Sequence, residues 1–142
     1  MSNAHPVEHT LVLLKPDAVA RKLTGQILAR YEAKGLTIVA LKQVRASREL
    51  AAAHYSEHEG RDYYEPLVDF ITSGPLVAVA LEAERAIEIV RLMNGSTDSA
   101  KAAPGTIRGD LSVFYRTNLV HASDSAENAA RELAIWFPEA VA

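Results

Sequence analysis

Four short apolar runs rich in β-formers alternate with segments of helical spacing, and this order constrains the fold more than any other feature of the chain. Residues 9–14 (His-Thr-Leu-Val-Leu-Leu) form an apolar run stopped by Lys15-Pro16. A short run of this kind, bounded by a breaker, reads as a buried strand. Residues 36–44 give a second strand, with Ile38, Val39 and Leu41 apolar. Leu76 to Leu81 is almost continuously apolar after the turn Ser73-Gly74-Pro75, which marks a central strand. Asn118 to Val120 leads a last one.

Between these runs the period changes. Gln26 to Lys34 carries Ile27, Leu28 and Tyr31 at helical spacing, and Gly35 closes it as a C′ residue. Residues 47–59 and 63–71 read as helices. Residues 84–93 form a well-patterned helix whose buried side is expected to hold Ile87, Val90 and Leu92. Residues 94–106 form a long loop with two glycines and a proline, and long structured loops in small domains are usually functional. Ser125 to Trp136 is the last helix. The order β-α-β-(α)-β-α-β with inserted helices matches the split βαβ or ferredoxin-like motif: an α+β fold with a four-stranded antiparallel sheet and helices on one face. At 142 residues the chain is expected to form one domain over 1–142, with 1–8 a flexible N-terminus. Met1-Ser-Asn-Ala4 resembles an expression scar and carries no weight in the fold.

Composition removes several function classes. The net charge of −3 argues against a general nucleic-acid binder, so any basic site must be local. With no cysteine, disulfides, thiolate catalysis and cysteine-ligated metals are excluded. No apolar run approaches the roughly 18 residues needed to span a membrane, and no signal-peptide pattern opens the chain. The expected compartment is the cytoplasm. Neither a Gly-x-x-x-x-Gly-Lys-Ser/Thr stretch nor a Gly-x-Gly-x-x-Gly occurs, so phosphate binding must come from side chains gathered across the fold.

The chemistry concentrates at residues 118–125. An apolar pair runs into His121, small polar residues follow, and a helix begins, which puts the histidine at a strand-to-helix junction. Ser123, Asp124 and Ser125 all suit an N-cap, and the free N–H groups of a helix start attract anions. A neutral imidazole is a competent nucleophile near pH 7. Phosphate chemistry needs positive charge aimed at the transferring group, and Lys15, Arg91 and Arg108 supply it from three separate segments. Each has a plainer role open to it. Lys15 can be a solvated lysine at a strand end, and Arg91 can stabilise the C-terminal dipole of its helix. Arg108 lies between Gly105 and Gly109, which let backbone approach a ligand closely; it either grips a phosphate with two bonds or pairs with Asp110. His54 and His58 lie one helical turn apart, but without a third ligand they read as a solvated helix face rather than a metal pair.

Asn118-Leu-Val-His121-Ala-Ser123-Asp124-Ser125 resembles the active-site signature of nucleoside diphosphate kinases. Leu14-Lys15-Pro16-Asp17, Ser73-Gly74-Pro75 and Pro104-Gly105-Thr106-Ile107-Arg108-Gly109-Asp110 agree with the same family in order and spacing. The resemblance runs from about His9 to Phe137. It implies a ping-pong transfer of phosphate between nucleoside triphosphates and diphosphates, with His121 as nucleophile. By the same resemblance Lys15, Arg91, Thr97, Arg108 and Asn118 contact the nucleotide's phosphates and sugar, and Tyr63 stacks on the base where many members have phenylalanine. Tyr55 falls near the histidine, Glu132 orients it, and Ser123 stands beside it. Asp124 helps hold Mg²⁺ through water, the ion being carried mainly by the phosphates. A homo-oligomer is implied, a hexamer favoured over a tetramer, with no membrane or specific nucleic-acid partner.

Three departures from the family pattern stand out. Ala18 and Ala122 replace glycines, which would cost about 1 kcal/mol each if those positions needed positive φ. Ser96, Asp98 and Ser99 change the 94–106 loop, which loses a proline and bears on subunit contacts. The chain ends soon after Trp136-Phe137. Two other readings compete: a silent relative used as a binding module, which predicts loss of His121 or a phosphate-gripping residue, and a ferredoxin-like RNA-binding domain, which predicts aromatic strands and a basic face. Neither prediction is met in the sequence.

Overall fold

The computed structural model describes residues 5–140. Its strands are β1 (Val7–Leu14), β2 (Thr37–Val44), β3 (Leu76–Glu84) and β4 (Val120–Ala122). Its α-helices are α1 (Pro16–Ala20), α2 (Thr24–Lys34), α3 (Arg48–His54), α4 (Tyr64–Ile71), α5 (Ala86–Asn94), α6 (Ile107–Leu111) and α7 (Ala126–Trp136). The sheet order is β2-β3-β1-β4 and every neighbouring pair is antiparallel. That is the ferredoxin-like α+β arrangement, with the long central pair β1 and β3 holding the two edges apart.

Helices cover both faces of the sheet, not one as expected. The reason is in β1 itself. Thr10 to Leu14 are all fully buried, so successive side chains on opposite faces both need cover. Val12 and Leu14 pack with Ile27 and Tyr31 of α2 and Val90 of α5. Leu11 and Leu13 pack with Ala51 of α3, Val68 and Ile71 of α4, and Trp136 of α7. Each large aliphatic side chain buried this way contributes roughly 1.5–3 kcal/mol of transfer free energy.

Several elements differ from expectation for local reasons. Lys15-Pro16 ends β1 but also starts α1, with Pro16 at the first helical positions, where a missing N–H costs nothing. The Gly-rich segment after the loop forms α6, capped by the Thr106 hydroxyl, which accepts from Gly109 N at 3.0 Å. A Cβ on Gly109 would meet Ala103 O at 1.9 Å, so this glycine is required by the chain's own packing rather than by a ligand. α5 buries Ala86, Val90 and Asn94, while Leu92 is 68% exposed; the helix is rotated from the side expected. Positive φ falls at Leu119 (75°) and not at Ala18 or Ala122, so neither alanine carries the suspected strain. Of the expected flexible N-terminus over 1–8, residues 1–4 lie outside the described residues, whereas Val7 and Glu8 belong to β1.

Candidate active site

His121 is the middle residue of β4, not a residue beyond the strand. It pairs with Leu13 of β1, while its neighbours Val120 and Ala122 pair with Leu14 and Val12. Period-2 alternation therefore sends the His121 side chain to the face covered by α3 and α7. β4 is an edge strand, so that side chain also meets an open flank. A cavity of about 640 Å³ lies there. Lys15, Tyr55, Tyr63, Arg91, Thr97, Arg108, Asn118, Asp124 and Glu132 line it together with His121. Ser123 alone among the expected site residues does not reach the cavity; it is fully buried behind it.

Glu132, on the buried side of α7, accepts from His121 Nε2 at 3.0 Å and from the Ser123 hydroxyl at 2.7 Å. Ser123 is fixed in turn by β1, accepting from Leu11 N at 3.4 Å through its hydroxyl and donating its own N–H to Leu11 O. Burial pushes the Glu132 carboxyl up, but the bond and charge of His121 and the Ser123 bond outweigh it and hold it below the usual range. A carboxylate at Nε2 makes that nitrogen the protonated one and leaves Nδ1 with its lone pair.

The segment that delivers His121 is strained and held. Leu119 sits at φ 75°, a region costly for a branched side chain. Its N–H donates to Asp17 Oδ2 at 3.0 Å, and its carbonyl accepts from Lys15 N at 2.8 Å. Arg108 secures both sides: Nε donates to Asn118 O (3.1 Å), Nη1 to Gly95 O (2.8 Å) and Nη2 to Val120 O. It does not pair with Asp110, whose carboxylate instead meets Arg30 at 2.8 Å. Arg108 thus spends a donor of each guanidinium nitrogen on the backbone while still lining the cavity.

Lys15 donates to Asn118 Oδ1 and to Arg116 O, and Asn118 Nδ2 donates to Thr97 O at 2.9 Å. Burial pulls the Lys15 ammonium down to about 8, with Arg108 adding to the drop and Asp17 opposing it. Tyr55, buried and near Glu132, is pushed up to about 12 and stays a phenol. Tyr63 donates to, or accepts from, His58 Nδ1 at 2.9 Å and stands at the rim. Asp124 is held below the ordinary carboxylate range by the Asn128 amide, which donates to it at 2.6 Å. Ser125, not Ser123 or Asp124, is the N-cap of α7, accepting from Asn128 N at 3.1 Å.

Sequence reasoning missed His54. Instead of facing solvent it is buried at the end of α3, with ring centroids 4.6 Å from His121, and it completes a His54, His121, Glu132 cluster. That set does not suit a hard cation, which prefers oxygen ligands. Nor is His54 poised as a ligand, because Trp136 Nε1–H occupies its Nδ1 lone pair at 3.0 Å. Asp124, exposed and ionised at the cavity wall, does suit a water-bridged Mg²⁺ shared with phosphates. Tyr115 and Arg116 also line the cavity and were not anticipated.

The nucleoside diphosphate kinase family model matches residues 8–141. The chain is 61% identical to the nucleoside diphosphate kinase of a Nocardioides species over 91% of its own length and 96% of the relative's. It is 60% identical to the nucleoside diphosphate kinase of Cutibacterium acnes, covering 94% and 97% of the two chains. Among solved structures it resembles the nucleoside diphosphate kinase of Halobacterium salinarum in complex with CDP (TM-score 0.90, 46% identity, 93% and 88% covered). The enzyme from Aquifex aeolicus aligns with a TM-score of 0.90 at 42% identity, covering 93% and 96%.

Proposed function

The chain belongs to the nucleoside diphosphate kinase family, a family of phosphotransferases, and on that premise we propose that it moves the terminal phosphate of a nucleoside triphosphate onto a nucleoside diphosphate through a phosphohistidine at His121. The observation that carries the reading is the 3.0 Å bond from His121 Nε2 to a buried carboxylate, inside a cavity whose wall holds Lys15, Arg91 and Arg108. In the first half-reaction the Nδ1 lone pair attacks the terminal phosphorus. The N–P bond forms as the bond to the bridging oxygen breaks, and that electron pair leaves on the diphosphate. In the second, a terminal oxygen of an incoming diphosphate attacks the same phosphorus and Nδ1 departs with its pair. The ring keeps its Nε2 proton throughout, donated to Glu132. No separate general acid is needed, and the work left to the protein is positioning and charge stabilisation.

Within that scheme Lys15, Arg91, Thr97, Arg108 and Asn118 bind phosphates and sugar, Tyr63 carries the base, and Tyr55 offers a phenolic donor beside the histidine. The family depends on a divalent metal; when Mg²⁺ is bound, Asp124 would help hold it through water beside the phosphates, and it would neutralise part of their charge. The protein is a homo-oligomer, a hexamer rather than a tetramer. Its edge strand β2 supports self-association, with Val39 and Leu41 46% and 49% exposed. We assign it to the cytoplasm; no helix among the described residues is long and apolar enough to cross a membrane.

His121→Asn retains a small polar side chain and removes the nucleophile. The expected result is loss of phosphate transfer between any pair of nucleotides with an unchanged thermal midpoint. Retained transfer would overturn the phosphohistidine.

A further inference from the structure

His54 is the last residue of α3 and only 3% exposed, in a layer between the sheet and α7. Trp136 Nε1–H donates to its Nδ1 at 3.0 Å. An indole nitrogen can only donate, so Nδ1 must hold the lone pair and the ring's one proton must sit on Nε2. Protonating the ring would set N–H against N–H. Burial pulls the His54 pKa down to about 3, helped by His121, Arg131 and His58 and opposed by Glu132. The ring is therefore neutral, and in one tautomer, throughout the range in which an imidazole nucleophile works.

Its other side meets the nucleophile. The His54 and His121 rings stand at 81° to each other, edge against face, with centroids 4.6 Å apart. Tyr55 at 4.7 Å and Trp136 at 5.6 Å, both also near-perpendicular, close the cage around His54. Glu132 grips His121 at a single atom, Nε2, and one bond leaves the ring free to swing about Cβ–Cγ. A second, rigid contact is needed to set the ring plane.

We propose that Trp136 and His54 are a positioning pair for the nucleophile: the indole N–H locks the His54 ring, and the locked ring sets the plane of His121 so that Nδ1 is presented to the phosphate. This rests on the phosphohistidine reading above. Displacement of a reacting atom by about 1 Å costs on the order of a hundredfold, so a partial loss of ring orientation is expected to slow phosphorylation about tenfold.

The test is His54→Asn, whose side-chain oxygen still accepts from Trp136 but whose ring is gone. The rate of phosphoenzyme formation is measured by rapid quench with γ-labelled ATP and Mg²⁺, alongside ATP affinity and the thermal midpoint. Expected are a rate down about tenfold, affinity within about twofold of the parent, and a midpoint close to it. A role limited to satisfying the indole predicts the parent rate, and that result overturns the proposal. So does a rate loss matched by an equal loss of affinity. Should the variant not fold, the ¹⁵N spectrum of the parent protein decides. A single Nε2–H tautomer of His54, untitrated between pH 5 and 8, is expected; protonation at Nδ1, or titration in the ordinary imidazole range, overturns the lock. Parent protein that takes up no label at all would instead sink the phosphohistidine itself, so the two failures are distinguishable.

Discussion

Glu132→Gln tests how the nucleophile is activated, and its effect can be worked from the site. The Glu132 side chain is 5% exposed and its Oε1 accepts both His121 Nε2 (3.0 Å) and Ser123 Oγ (2.7 Å), with Arg131 Nη2 3.6 Å from Oε2. As phosphorus bonds to Nδ1 the ring gains positive character, and the carboxylate stabilises it more in the transition state than in the ground state. Glutamine has nearly the same shape but offers a neutral acceptor. A hydrogen bond to a charged group is worth about 1.5–3 kcal/mol against 0.5–1.5 for a neutral one. The difference of about 1–2 kcal/mol, at tenfold per 1.36 kcal/mol, makes phosphorylation roughly 5- to 30-fold slower. Rapid-quench phosphoenzyme formation at saturating ATP measures it, with the Michaelis constant expected unchanged, because Glu132 touches the nucleophile and not the nucleotide. A folded Glu132→Gln protein phosphorylated at the parent rate, or one affected only in the Michaelis constant, would refute the reasoning.

Arg108→Ala removes three bonds to the carbonyls of Gly95, Asn118 and Val120 and should cost about 3 kcal/mol or more of stability as well as rate; an unchanged urea midpoint would show that the arginine does not hold the Leu119 segment. Lys15, with its pKa pulled down to about 8, binds phosphate only as the cation. So kcat/KM should fall above about pH 8 and the fall should vanish in Lys15→Arg, whereas a limb that persists in that variant would belong to another group. His54 has a folded pKa of about 3 against an ordinary 6.5, so the unfolded chain binds its proton first. Stability contributed by neutral His54 is full above 6.5 and is lost as pH falls towards 3, at up to about 1.4 kcal/mol per pH unit. Urea unfolding between pH 4 and 7 should show a slope that His54→Asn flattens.

The parts of this fold visible in the sequence were those that depend on period and punctuation. β3 was evident because both its faces are apolar, and Gly35 marked the end of α2 because a left-handed residue (φ 112°) was needed there. The strands and their order follow from such signals. What stayed hidden depends on partners distant in the chain. Nothing near His54 distinguishes a histidine meeting Trp136 across the core from one in water; residues 47–59 carry both kinds of position. The positive φ of Leu119 has no local signature, since it is stabilised by Asp17, Lys15 and Arg108 from two other segments. Arg108 was visible as a cation among glycines, but its acceptors are backbone carbonyls, which every residue has. The helices on the second face could have been inferred from the unbroken apolar run of residues 11–14, where an alternating run would have meant a solvated face.

The most direct measurement follows one phosphate through the protein. The chain is mixed with γ-labelled ATP and Mg²⁺ without acceptor, denatured, and digested to locate the label, and a parallel sample is chased with GDP before denaturation. The account predicts alkali-stable, acid-labile label on His121 Nδ1 that moves to GTP in the chase. Label on another residue, on Nε2, or transfer to GDP with no labelled protein at any time would contradict it.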